Sequence, residues 1–122
     1  MNKNFFTLKY FICFIILFLS FSCKAGNYSF LNDAAISNFT TADTKLFIAA
    51  QEKALNRTRD GVKVSWRNPH TKVSGYVLPI KTANINGQTC RWLIFYNNAY
   101  GVTGKNTFKF CKVGSVWQAF PP

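Results

Sequence analysis

The stretch whose reading decides the fold is Thr89–Val113, TCRWLIFYNNAYGVTGKNTFKFCKV. Two runs rich in β-branched and aromatic residues, Thr89 to Tyr96 and Thr107 to Val113, flank a polar middle with Tyr100-Gly101 at its centre. Such runs read as strands and the middle as their turn. A hairpin centred on Tyr100-Gly101 sets opposite one another residues whose numbers sum to 201. Cys90 then faces Cys111, Arg91 faces Phe110, Trp92 faces Lys109 and Leu93 faces Phe108. Directly opposed side chains share a face. One face therefore gathers Leu93, Phe95, Phe108 and Phe110, a core side for a helix to cover. The other carries the cysteines with Trp92, Ile94, Thr107 and Lys109. A one-residue slip would undo both the cysteine pairing and the segregation of apolar residues.

In an oxidising compartment Cys90 and Cys111 read as a disulfide. Closing a loop of about 20 residues stabilises by roughly 3 kcal/mol, which matters for a small core. Zinc is the rival, but His70 is the sole histidine, and with two distant cysteines it makes a poor ligand set. The expectation is a structural bridge, with no metal and no cofactor.

Upstream, Val62, Val64 and Trp66 alternate with Lys63 and Ser65, as in a half-buried strand. Asn68-Pro69-His70 is a turn, Gly75 to Thr82 a second strand, and Asn84-Ile85-Asn86-Gly87 another turn. Pro79 marks an edge or a bulge. Val116 to Phe120 makes a short last strand. Before Asp60-Gly61, the segment 42–57 carries Leu46, Ala49, Ala50 and Ala54 at helical spacing, with Phe47 and Leu55 widening the stripe. Thr40-Thr41-Ala42-Asp43 supplies its entry, hydroxyls accepting from free amides and Asp43 favouring the first turn. The fold expected is α+β: one N-terminal amphipathic helix on an antiparallel sheet of four or five strands, pinned by one disulfide.

At the start of the chain, Lys3 and Lys9 precede an apolar run, Tyr10 to Phe21, that ends in small residues and Cys23. A basic head, a short apolar middle and a small-residue exit describe a secretory signal rather than a spanning helix. Two exits compete: ordinary cleavage near Cys23 or Gly26, and a degraded lipobox, Leu19 to Cys23, whose cysteine is lipidated. The organisation expected is a signal peptide over 1–22, of ordinary or lipoprotein type, a flexible linker over 23–40 and one domain over 41–122. The product is expected outside the cytoplasm, retained in the cell envelope or secreted.

The whole chain has a formal net charge of +11. From Gly26 onward there are 12 Lys and Arg against 4 Asp and Glu, a difference of 12 − 4 = +8. The cations are scattered singly, which suits a basic surface for anionic lipid, lipopolysaccharide or acidic glycan better than a dedicated nucleic-acid groove. Asp33, Asp43, Glu52 and Asp60 all precede the sheet, and His70 lacks an identifiable nucleophile and orienting partner. No enzymatic chemistry is expected. Trp66, Trp92, Trp117, Tyr76, Tyr96 and Tyr100 interleave with Arg67, Arg91 and Lys109, a pattern shared by stacking platforms and by ordinary cores. Arg91, Trp92 and Lys109 are the residues expected to mark a binding surface, although Arg91 could instead pair with a backbone carbonyl. Three Asn-x-Ser/Thr triplets, at Asn27, Asn38 and Asn56, match the N-glycosylation sequon; in a bacterial protein they would be chance, and an Asn-rich chain makes three such matches unsurprising.

Trp66-Arg67-Asn68-Pro69, Gly75-x-Val77-x-Pro79, Asn86-Gly87-x-x-Cys90-Arg91, and Cys111-Lys112 followed by Gly114 and Trp117 recur in order and spacing. Over residues 50–120 they resemble the C-terminal domain of the bacterial 17-kDa surface antigen family, small outer-membrane lipoproteins of Gram-negative bacteria. The resemblance implies a helix followed by an antiparallel sheet, with outer-membrane lipid or an envelope protein as partner and no enzymatic activity. This chain differs where the family usually has a glycine after the Asn-Pro turn, near Lys72, and shows no glycine-zipper segment between Gly26 and Thr40. The alternative class is a fully secreted cationic binding module or effector for an anionic glycan, a membrane or a host protein.

Overall fold

The computed structural model describes residues 34–120. The signal-peptide reading, Cys23 and most of the expected linker lie outside the described residues. Within them the chain forms a single 3-10 turn, Ile36–Asn38, then helix α1, Thr41–Arg57. Five strands follow: β1 Val64–Arg67, β2 Ser74–Ile85, β3 Gln88–Ala99, β4 Val102–Val113 and β5 Val116–Phe120. All pairs are antiparallel and the sheet order is the chain order, a simple meander.

The β3–β4 ladder has the register deduced from the turn, running from Cys90 opposite Cys111 to Ala99 opposite Val102. Its connection is the two-residue turn Tyr100-Gly101, with φ of +54° and +82°. The turn between β2 and β3 repeats this geometry at Asn86-Gly87, with φ of +50° and +81°. Two left-handed residues in succession match the twist of the flanking strands, which is why Asn-Gly is favoured there. β2, β3 and β4 overrun the sequence-based bounds, β5 keeps them, and β1 begins at Val64, leaving Val62 before the strand. β4 starts at Val102 rather than Thr107, because Thr103 to Asn106 are polar and give no period-two signal although their backbones complete the ladder to β3. Pro79 marks a register shift between itself and Lys81, so the missing amide falls at a bulge.

α1 enters through a reciprocal cap. The Thr40 hydroxyl accepts from the Asp43 amide, and the Asp43 carboxylate accepts from the Thr40 amide. Its buried residues are Asp43, Phe47, Ala50, Ala54 and Leu55. Leu46 and Ala49, expected on the inner stripe, face outward instead. Ala50, Ala54, Phe47 and Leu55 of the expected stripe are buried, and its first member is a carboxylate, Asp43, which a search for apolar residues passes over. The Phe47 ring lies 5.5 Å from Phe95 and 6.2 Å, edge-on, from Trp66. Trp66 is thus core rather than platform. Phe39 closes the cluster against both Phe47 and Trp66, and Ala35 is fully buried. The last part of the expected linker is therefore seated on the core.

Two backbone positions explain residues of the quoted motifs. A Cβ at Gly75 would strike the Tyr96 carbonyl and meet Asn97 Oδ1 at 2.7 Å, so the sheet has room only for hydrogen there. Lys72 closes the turn after β1 at φ +65°, a left-handed conformation in which glycine is the relaxed residue. The backbone at Lys72 thus favours a glycine that this chain does not carry.

Candidate functional site

Alternation along β3 divides its residues between two faces. Arg91, Leu93, Phe95, Asn97 and Ala99 are buried beneath the helix side, while Trp92, Ile94, Tyr96 and Asn98 are only partly covered on the other. Pairing extends this second face across the sheet. Tyr76 and Leu78 of β2 lie opposite Tyr96 and Ile94, Lys81 opposite Trp92, and Lys109 of β4 on the other side of Trp92. The outcome is an open face with a band of rings and aliphatic side chains along its middle and cations beside it. Tyr76 and Tyr96 stack with centroids 5.2 Å apart. Lys63 Nζ sits 4.3 Å from the centre of the Tyr76 ring, and Lys81 Nζ 4.9 Å from that of Trp92. Lys109 Nζ reaches to 6.0 Å from the Phe120 ring. Each ammonium lies over the face of a ring. Residues 61–122 contain no Asp or Glu, so every charge carried by the sheet is positive.

The Cys90–Cys111 disulfide lies on this face, is itself buried, and ties β3 to β4 one step from Trp92. With both sulfurs in the bridge, the zinc alternative loses its thiolates. Among the described residues no group of three or more His, Cys, Asp and Glu comes together. His70 is exposed in the turn after β1, its amide donating to Asn68 Oδ1.

Arg91 does not join Trp92 and Lys109. It points to the opposite face, is 7% exposed, and spends every guanidinium N–H within the fold. Nη1 donates to the carbonyls of Ala54 (2.6 Å) and Leu55 (2.9 Å), and Nη2 to the Thr58 carbonyl (2.7 Å) and Asp60 Oδ1 (2.7 Å). Nε donates to Thr82 Oγ1 at 2.9 Å. Arg91 is removed from the binding surface by parity: residues 91, 93 and 95 share a face. The hairpin arithmetic that sets Arg91 opposite Phe110 already carried that signal. Its guanidinium holds the Asp60 carboxyl below the usual aspartate value, against a smaller opposing effect of burial, with Thr82 assisting.

At the other end of α1, Asp43 is fully buried. Its Oδ1 accepts from Asn68 Nδ2 and Thr71 Oγ1, both at 2.7 Å, and its Oδ2 from the Thr40 amide and hydroxyl, both at 2.8 Å. Burial pushes this carboxyl up, but the bonds from Thr40, Thr71 and Asn68 together outweigh it and hold the group below its ordinary value. Asp43 thus clamps the Asn-Pro turn to the start of the helix. It is a structural anion, not an acid–base group facing solvent.

Known proteins supply a partial match to this chain. A 50-residue stretch is 44% identical to a protein named 17 kDa surface antigen from Rickettsia felis, covering 40% of this chain and 31% of that protein. The protein of the same name from Rickettsia australis matches at 44% over 50 residues, 40% of this chain and 32% of its own. The chain spans about a third of the length of the curated relatives it matches. No family model and no solved structure matches it.

Proposed function

We propose that this chain is an exported, non-enzymatic protein of the bacterial cell envelope, of the surface-antigen type, that lies against an anionic envelope surface through its open sheet face. The observation that carries this reading is the composition of that face. Trp92, Tyr76, Tyr96, Leu78 and Ile94 form its middle, Lys63, Lys81 and Lys109 stand beside them, and no carboxylate opposes them. Rings with one apolar and one wet edge suit the headgroup region of a bilayer. Each cation near an anionic membrane adds about 1 kcal/mol of attraction, so several scattered cations act together without a contiguous run. The likeness to proteins named surface antigens and the leader-like first 22 residues support the envelope location. No helix among the described residues is long and apolar enough to cross a membrane.

The test is sedimentation of the purified chain with vesicles of phosphatidylglycerol and phosphatidylcholine, against phosphatidylcholine alone. Binding to the anionic vesicles is expected to weaken with salt and with the paired change Lys81→Glu and Lys109→Glu, and to survive Lys45→Glu on the exposed helix surface. Equal binding by all three proteins would sink the open-face reading. Intact mass spectrometry of the native protein then decides how it is held: a lipid mass on a chain starting at Cys23 is expected for an anchored form, and an unmodified chain for a peripheral one.

A further inference from the structure

We propose a discrete binding site for a phosphate group at the C-terminal end of α1, beyond the docking face and sharing only Lys63 with it. A cleft of about 250 Å³ lies between the last turns of α1 and the approach to β1. Lys53, Arg57, Arg59 and Lys63 line it together with Thr58 and Val62, and no carboxylate does. All four cations belong to exposed residues.

Cations near a helix C-terminus usually answer to its free carbonyls and the negative end of its dipole. Much of that demand is met here by other donors. Arg91 takes the carbonyls of Ala54, Leu55 and Thr58, and the Thr58 hydroxyl takes that of Lys53. The neighbouring carboxylates are engaged as well. Asp60 Oδ1 accepts from Arg91 and Thr82, and Glu52 Oε2 accepts from Asn56. The ion pair among the described residues is Arg91–Asp60, and it includes none of the four.

Lys53 and Arg57 moreover stand four residues apart on the helix, a like-charge spacing that is unfavourable by itself. Arg59 and Lys63 bring further positive charge from across the cleft. A bound anion relieves this repulsion. Two guanidinium forks and the Lys53 ammonium match the several oxygens and multiple charge of a phosphate better than a single carboxylate. Lys63 stands at the cleft mouth, its ammonium fixed over Tyr76. The chemistry recognised is a phosphate group, whether free or terminal on a lipid headgroup.

The experiment is titration of the isotopically labelled full chain with inorganic phosphate at constant ionic strength, followed by amide NMR shifts. Saturable shifts at Arg57 to Lys63 are expected. Arg57→Gln with Arg59→Gln should raise the dissociation constant at least about tenfold, and Lys63→Gln should raise it less. Trp92→Ala should leave it within about twofold, which separates this site from the open face. The substituted positions are on the surface, and a native amide spectrum confirms that each variant folds. Vesicles of phosphatidic acid, compared with phosphatidylglycerol at equal charge, distinguish the source. Preference for phosphatidic acid that is lost in the double variant marks a headgroup site, and saturable phosphate binding without that preference marks a site for soluble phosphate. Absence of saturable shifts with millimolar phosphate, or shifts unchanged in the double variant, would overturn the proposal.

Discussion

The two ends of α1 are held by opposite devices. At the N-terminus a buried carboxylate, Asp43, collects four hydrogen bonds from Thr40, Asn68 and Thr71. At the C-terminus a buried guanidinium, Arg91, donates five to Ala54, Leu55, Thr58, Asp60 and Thr82. Each charge has the sign that complements the helix dipole at its end. The anion belongs to the helix and reaches out to the turn after β1. The cation belongs to the middle strand and reaches into the helix across as many as 37 positions of sequence. A helix can thus be fixed to a sheet either by extending its own cap or by receiving one from the sheet, and the second kind depends wholly on tertiary structure.

Breaking the C-terminal device should cost most. Arg91→Met removes a charge that satisfies three carbonyls and a carboxylate, and is expected to lower unfolding stability by about 3–5 kcal/mol in urea titration. Arg91→Lys, with a single ammonium in place of a fork, should recover only part of this. At the other end, Asp43→Asn keeps the shape but turns an amide donor toward groups that themselves donate, for an expected loss of about 2–3 kcal/mol. A loss larger than that of Arg91→Met would reverse the ranking of the two ends.

Acid should weaken both ends together. Asp43 and Asp60 both have carboxyl values depressed below the ordinary 3.8. A depressed acid contributes stability that is present above its unfolded value and is lost as pH falls through its folded value. Unfolding stability is therefore expected to hold above about pH 5 and to decline progressively below about pH 4. In Asp43→Asn that decline should be shallower, and in Arg91→Met the part owed to Asp60 should shrink. An identical slope in all three proteins would assign the acid sensitivity elsewhere. The smallest effect expected is a gain: Lys72→Gly, in the turn that Asp43 clamps, relaxes a left-handed lysine and should stabilise by about 0.5–1 kcal/mol. A loss on that change would show that the Lys72 side chain contributes more than its backbone costs.

This contrast also marks how far the sequence could be read. The cap at Thr40 is local, four residues with a known pattern, and Asp43 in the first turn follows from it. Its long-range role does not, because nothing in Asn68 or Thr71 announces a partner 25 or 28 residues away. The β3–β4 register was legible because turn geometry, cysteine pairing and face alternation constrain the same sum. Arg91 was misplaced because charge was weighed above parity. Trp92 and Lys109 do share the open face, as the pairing required. The cationic cleft was out of reach altogether: its lining comes from the end of α1 and the connection to β1, and only the fold brings these together.

The meander also gives the fold an order in time. Every strand pairs with its neighbour in the chain, so the sheet can zip through closures of short turns, each on the microsecond scale. Docking of α1 onto Arg91 can follow only once β3 is in place. Oxidation of Cys90 and Cys111 is slower still, and it requires a hairpin already in register. A slip by one residue would send the two thiols to opposite faces and leave them reduced. A bridge that forms only in register would close on correctly paired chains and leave mispaired ones open to rearrangement.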